Sequence, residues 1–164
     1  TGLRIGLSTA KGLCYSLSIP LITVHTLEIM SEKVQGHFSN LSQKDWLFCP
    51  MIDARRMEVY ASIYKINKEV IMAPAAVIID ENSFKDYIKN NQCLIFGDGA
   101  AKCVGILPAD TFKFVDNIYP SAKYMGRLAN VCLENKDFSD LAYSEPLYLK
   151  QYQAKLSKKN KLID

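Results

Sequence analysis

The hydrophobic period changes once along this chain, and that change limits what it can fold into. From Thr1 to about Ser18, Leu3, Leu7, Ala10, Cys14 and Leu17 recur at helical spacing, and Pro20 stops the pattern. From Leu47 the period is two. Leu47–Ile52 reads as a buried strand, and Met57, Val59, Ala61 and Ile63 then alternate with Glu58, Tyr60, Ser62 and Tyr64. Between the two regimes the sequence predicts a short strand Leu21–Val24 and a helix from Thr26 to about Gly36 with Glu28 near its positive end. The polar stretch Ser39–Asp45 reads as a domain boundary.

Beyond Ile63 the order stays regular. Val70–Ile79 is a third strand, with Pro74 marking an edge or a bulge. Asn82 to Asn90 reads as a short helix, and Cys93–Phe96 as a strand running into Gly97-Asp98-Gly99 and a short helix from Ala100. Phe112–Val115 is a further strand. Pro120 opens a helix with Ala122, Met125, Leu128, Ala129 and Cys132 on one face. Three successive antiparallel strands followed by alternating helices and strands is the order of a ribonuclease-H-like α/β sheet. This gives residues 1–45 as part of a first domain and 46–164 as a second. The helix pattern begins at Thr1-Gly2-Leu3-Arg4 without a preceding methionine, as in a fragment starting inside a domain.

Composition excludes several classes of function. The segment Lys150–Asp164 holds five lysines and one aspartate, so the formal charge of +3 leaves the remainder near −1, which is no general polyanion binder. Five scattered cysteines without a C-x-x-C pair suit reduced thiols and a cytoplasmic home better than a disulfide frame or zinc site. His25 and His37 are too far apart for a metal pair on one helix face, and no H-x-x-x-H or Ser/Cys-His-acid grouping supports a protease. No apolar run approaches the roughly 20 residues of a membrane helix.

Three places carry chemistry. Asp53, followed by Arg55 and Arg56 at a hairpin tip, is either a phosphate site or a turn in which the aspartate accepts N–H groups. Gly97-Asp98-Gly99 is either a phosphate-binding loop or a tight strand–helix turn. Asp53 and Asp98 together would also suit a two-metal nuclease, but the third carboxylate (Asp86 or Glu81) is not fixed. Gly2, Gly6 and Ala10, four apart, make a ridge of small residues at which another backbone could approach closely.

The stretches TGLRIGLSTAKGLCYSLSIPLI, MIDARRMEVYASIY, GDGAAK, YPSA and EPLYLK together resemble the TsaB (YeaZ) family, in family order and across nearly the whole chain. The resemblance implies the actin/Hsp70/sugar-kinase superfamily fold, with the first domain incomplete. It implies a non-catalytic scaffold and activator of TsaD, which threonylcarbamoylates the tRNA adenosine next to the anticodon. TsaE is a further partner, a homodimer is possible, and ATP or ADP with Mg belongs to TsaD. The partner-binding residues would be Gly2, Arg4, Ile5, Gly6, Thr9 and Ala10. Asp53, Arg55, Arg56, Gly97, Asp98 and Gly99 are the candidate nucleotide residues, and Lys155, Lys158, Lys159 and Lys161 the candidate tRNA contacts. The alternative is a nucleotide-binding or metal-dependent phosphoryl enzyme or nuclease. The family's older glycoprotease label finds no matching residues here.

Overall fold

The computed structural model describes residues 2–37, 46–89 and 91–150. Two helices come first, α1 (Gly2–Leu17) and α2 (Thr26–His37). The stretch expected as a strand at Leu21–Val24 is reduced to one bridge, Leu21 opposite Ser139. A sheet follows, built from β1 (Trp46–Asp53), β2 (Glu58–Lys65), β3 (Val70–Ile78), β4 (Gln92–Phe96) and β5 (Phe112–Val115). Its spatial order is β3-β2-β1-β4-β5. The first three strands pair antiparallel, while β1–β4 and β4–β5 pair parallel. This is the ribonuclease-H-like mixed sheet read from the sequence.

Period-two alternation sends the side chains of β1 and β4 to two different cores. Leu47, Cys49, Met51, Cys93 and Ile95 join Val59, Ala61, Ile63, Phe84 and Phe112 on one face. Phe48, Leu94 and Phe96 face the other way and meet Leu27, Met30 and Val34 of α2. A sheet covered on both sides explains why β1 and β4 read as apolar runs. It also explains why Ser62 and Tyr64, on the polar side of the β2 alternation, are buried. The segment around Ser39–Asp45, where the boundary was read, lies outside the described residues.

Pro74 falls where the sequence placed an irregularity. β3 is an edge strand, and its register with β2 shifts between the pairs Ala61–Ala75 and Ile63–Met72. Ser62, caught opposite the shift, donates its hydroxyl to the Met72 carbonyl at 2.5 Å. The helix expected from Asn82 is shorter, α3 (Lys85–Ile88). Asp80 competes for the preceding backbone: its carboxylate accepts from the Asn82 N–H (2.9 Å) and the Ser83 hydroxyl (3.0 Å). Phe84 then adopts a left-handed conformation (φ 69°) and turns its ring into the core.

After β4 the helix expected from Ala100 is a single 3₁₀ turn, Ala101–Cys103. The helix expected from Pro120 begins as a 3₁₀ turn, Ala122–Tyr124, capped by the Ser121 hydroxyl, and continues as α4 (Met125–Asn135). Leu128 is its buried anchor.

Candidate functional site

Parallel pairing of β1 with β4, in register at Pro50–Phe96, brings the carboxyl ends of both strands together. Asp53 and Asp98 therefore meet: the Asp53 N–H donates to Asp98 Oδ1 at 3.2 Å. The hairpin from β1 to β2 turns through Arg55 (φ 68°) and Arg56 (φ 49°), both in left-handed backbone, and closes with the Glu58 N–H donating to the Arg55 carbonyl at 3.3 Å. Arginine has a Cβ and adopts this conformation only at a cost, so the turn needs support. Asp53 supplies part of it by accepting from the Arg55 N–H at 2.9 Å.

Lys102 supplies the rest. Its ammonium donates to the Asp53 carboxylate, to the Arg56 carbonyl (2.8 Å) and to the Glu58 carbonyl (2.6 Å). Three acceptors match the three donors of a lysine ammonium. The Lys102 bond, with the Arg55 N–H second, holds the Asp53 carboxyl below its ordinary range. Lys102 stands within the GDGAAK stretch but was not singled out in the sequence. The readable signal is its place one short turn after the Gly97–Gly99 loop, from which a long side chain returns over the neighbouring strand end.

The glycines of the loop have a packing reason. Gly97 has φ +106°, and a Cβ there would lie 2.2 Å from the Met51 carbonyl oxygen and 2.5 Å from Met30 Cε. At Gly99 a Cβ would come within 2.8 Å of the Ile52 carbonyl carbon. The Gly99 N–H donates instead to the Met51 carbonyl at 3.1 Å. The glycines thus let the loop press onto β1. Asp53, Arg55, Arg56, Gly97, Asp98 and Gly99 do come together, as a hairpin-and-loop lock. Among the described residues no group of three His, Cys, Asp or Glu could hold a metal ion. Cys103 lies beneath the lock, and burial pushes its thiol up to about 11, so it stays protonated and a poor nucleophile.

The second candidate site is α1. Its one buried side chain is Cys14. Leu3, Ile5, Leu13 and Leu17 are exposed, and Ile5 shows 62% of its surface. Among the described residues, no atom outside the helix's own backbone lies within 4 Å of a Cβ placed at Gly2 or Gly6. Residues 139–148 instead hold α1 along its polar stripe. Arg4 Nε donates to the Tyr148 hydroxyl (2.6 Å) and stacks over that ring, and Lys11 donates to the Ala142 carbonyl (2.9 Å); beyond the helix, Thr23 pairs with Ser139 (2.7 Å). Of the predicted partner residues, Arg4 is thus engaged within the chain, and Thr9 bonds its own helix at the Ile5 carbonyl (2.9 Å). Gly2, Ile5 and Gly6 lie open, with Ala10 half-buried. Lys155, Lys158, Lys159 and Lys161 lie outside the described residues.

The five-stranded mixed sheet, with a carboxylate at each of two adjacent parallel strand ends, defines a domain of the actin-like ATPase class. The family model described as "TsaD: tRNA N6-adenosine threonylcarbamoyltransferase" matches residues 1–157, and the chain belongs to that family. Among its relatives are two proteins named tRNA threonylcarbamoyladenosine biosynthesis protein TsaB. The one from Bacillus subtilis (strain 168) is 37% identical over 82 residues, covering 50% of this chain and 31% of the relative. The one from Buchnera aphidicola subsp. Acyrthosiphon pisum (strain APS) is 42% identical over 71 residues, covering 43% and 30%. The aligned part is thus under a third of either relative. The fold matches YeaZ from Pseudomonas aeruginosa with a TM-score of 0.67 at 19% identity, over 90% of this chain and 68% of that one. The TsaB/YeaZ resemblance read from the motifs therefore holds.

Proposed function

We propose that this chain serves tRNA threonylcarbamoyladenosine biosynthesis as a non-catalytic scaffold and activator of a TsaD-type threonylcarbamoyltransferase. The carrying observation is α1: a helix pinned to its own chain on one side presents open glycines and exposed leucines and isoleucine on the other. The relatives' printed name, and the family that the chain belongs to, support the pathway. The lock at Asp53 supports the absence of chemistry here, because Lys102 and the glycines that could serve a phosphate are engaged in holding the hairpin.

On this reading ATP or ADP with Mg is bound by the TsaD partner, and TsaE joins the assembly. A homodimer would use the same α1 face when TsaD is absent. tRNA is reached through the complex, with Lys155, Lys158, Lys159 and Lys161 as added phosphate contacts, and the setting is cytoplasmic. No helix among the described residues is long and apolar enough to cross a membrane.

Gly6→Leu in the full-length protein tests the interface. A Cβ at position 6 would have no described atom outside the helix's own backbone within 4 Å, and helix propensity favours leucine by roughly 1 kcal/mol. Thermal stability is therefore expected to hold or rise, while affinity for TsaD falls at least about tenfold as the helices are forced apart. A variant that titrates TsaD like the parent protein would defeat the assignment, whatever its melting temperature.

A further inference from the structure

Between α2 and the turn that opens α4 lies an open groove of about 340 Å³, lined by Glu32, Lys33, Gly36, Lys123, Tyr124 and Arg127. Small-ligand sites begin at roughly this volume. It stands apart from the Asp53 lock and from α1, and the proposed function leaves it unused. From its residues we infer that this groove is a binding site for a phosphate-bearing ligand.

Charge is the first argument. Three of the six lining residues are cations, although the chain apart from its last fifteen residues is close to neutral. The one acid among the lining residues, Glu32, is shared with a cation outside the groove. Its side chain is 8% exposed and holds Lys68 at 2.7 Å on one side and Arg127 at 3.1 Å on the other. Lys68 lies outside the groove and balances the carboxylate, so the Arg127 charge remains available.

Positioning is the second argument. A surface arginine ordinarily samples many rotamers, and ordering it costs entropy. Here the nearly buried Glu32 carboxylate pairs with the Arg127 guanidinium at 3.1 Å and biases its direction, while the arginine side chain is 73% exposed. One ion-pair contact, through Nη1, leaves most of the guanidinium's N–H donors in the planar arrangement that suits phosphate oxygens. The two ammonium groups are gathered by one ring: Lys33 Nζ stands 6.0 Å and Lys123 Nζ 5.9 Å from the Tyr124 centroid. Lys33 also donates to the Asn117 carbonyl at 3.3 Å. The Arg127 guanidinium with the Lys123 ammonium beside it suits a multivalent oxyanion better than a single carboxylate.

Phosphate can come from a small nucleotide or from an RNA backbone, and a titration with three probes separates them. Inorganic phosphate, ADP and a single-stranded oligoribonucleotide are each titrated at low salt into the full chain. The variants are Lys123→Ala/Arg127→Gln, Tyr124→Ala and Tyr124→Phe. At least one probe is expected to bind, and the double variant should weaken it about tenfold or more through loss of charge-assisted bonds. Tyr124→Ala should weaken it by less, and Tyr124→Phe, which keeps the ring, should not. If RNA is the source, the double variant also lowers the salt-dependence slope by about 0.7 per lost contact. If a nucleotide is the source, ADP binds and the oligoribonucleotide competes weakly. Far-UV circular dichroism and melting confirm that each variant is folded. No binding of any probe, or equal binding by parent and double variant, overturns the site and leaves the cations to complement the α2 C-terminus. Neither result touches the TsaD titration with Gly6→Leu.

Discussion

Lys102 concentrates the most chemistry in one side chain. It closes a turn whose two arginines sit in left-handed backbone, and it keeps the Asp53 carboxylate ionised. The sign of the pH effect follows. A carboxyl whose folded pKa lies below its ordinary 3.8 binds protons more readily when unfolded, so it contributes stability above that value. That contribution is lost as pH falls through the depressed folded value. Lys102→Met should therefore lower stability at neutral pH and flatten the acid limb below about pH 4 relative to the parent. The Arg56 carbonyl also loses its lysine donor, while the Glu58 carbonyl keeps the Ala54 N–H at 3.1 Å. Glu69, depressed by Lys65, titrates in both proteins and cancels in the difference. Parallel acid limbs in urea titrations from pH 2 to 7 would show that Lys102 does not support Asp53.

Among the elements, α4 shows where propensity and position disagree. It ends at Lys136 with φ 56°, whose N–H bonds back to the Cys132 and Leu133 carbonyls. This is the left-handed helix end that glycine fills most easily. Lys136→Gly should stabilise the protein by about 0.5–1 kcal/mol, since the lysine is exposed. A lower denaturation midpoint would mean that the lysine side chain contributes more than its backbone costs. α3 teaches the same lesson from the other end. Its first turn is lost because the Asp80 carboxylate captures the backbone that Asn82 was expected to use.

For the whole molecule, the packing of α2 decides how the chain can be divided. Met30 and Val34 are fully buried against Phe48, Leu94 and Phe96, so one face of the sheet depends on a helix that precedes Ser39–Asp45. A fragment of residues 46–150 would expose that face, and a sheet with one core uncovered should not unfold cooperatively. The expected result is a broad transition and binding of a hydrophobic dye. Within the intact chain, Met30→Ala should cost about 2–5 kcal/mol. A sharply melting 46–150 fragment would instead make the sheet independent of α2.

What the sequence determined by itself was local and periodic. The change from helical to period-two spacing set the element order, Pro74 marked the edge irregularity, and Asp53 before two arginines placed a hairpin tip with a carboxylate as one of its two readings. Each depends on neighbours a few residues apart, where propensity and hydrogen bonding act directly. The tertiary structure decided the rest. It set Lys102 against Asp53 across forty-nine positions, Gly97 against Met51 and Met30, and Glu32 between Lys68 and Arg127. Those contacts arise from parallel strand pairing and from a helix laid over a sheet. Both join residues far apart in the chain, and no spacing within a single stretch encodes them.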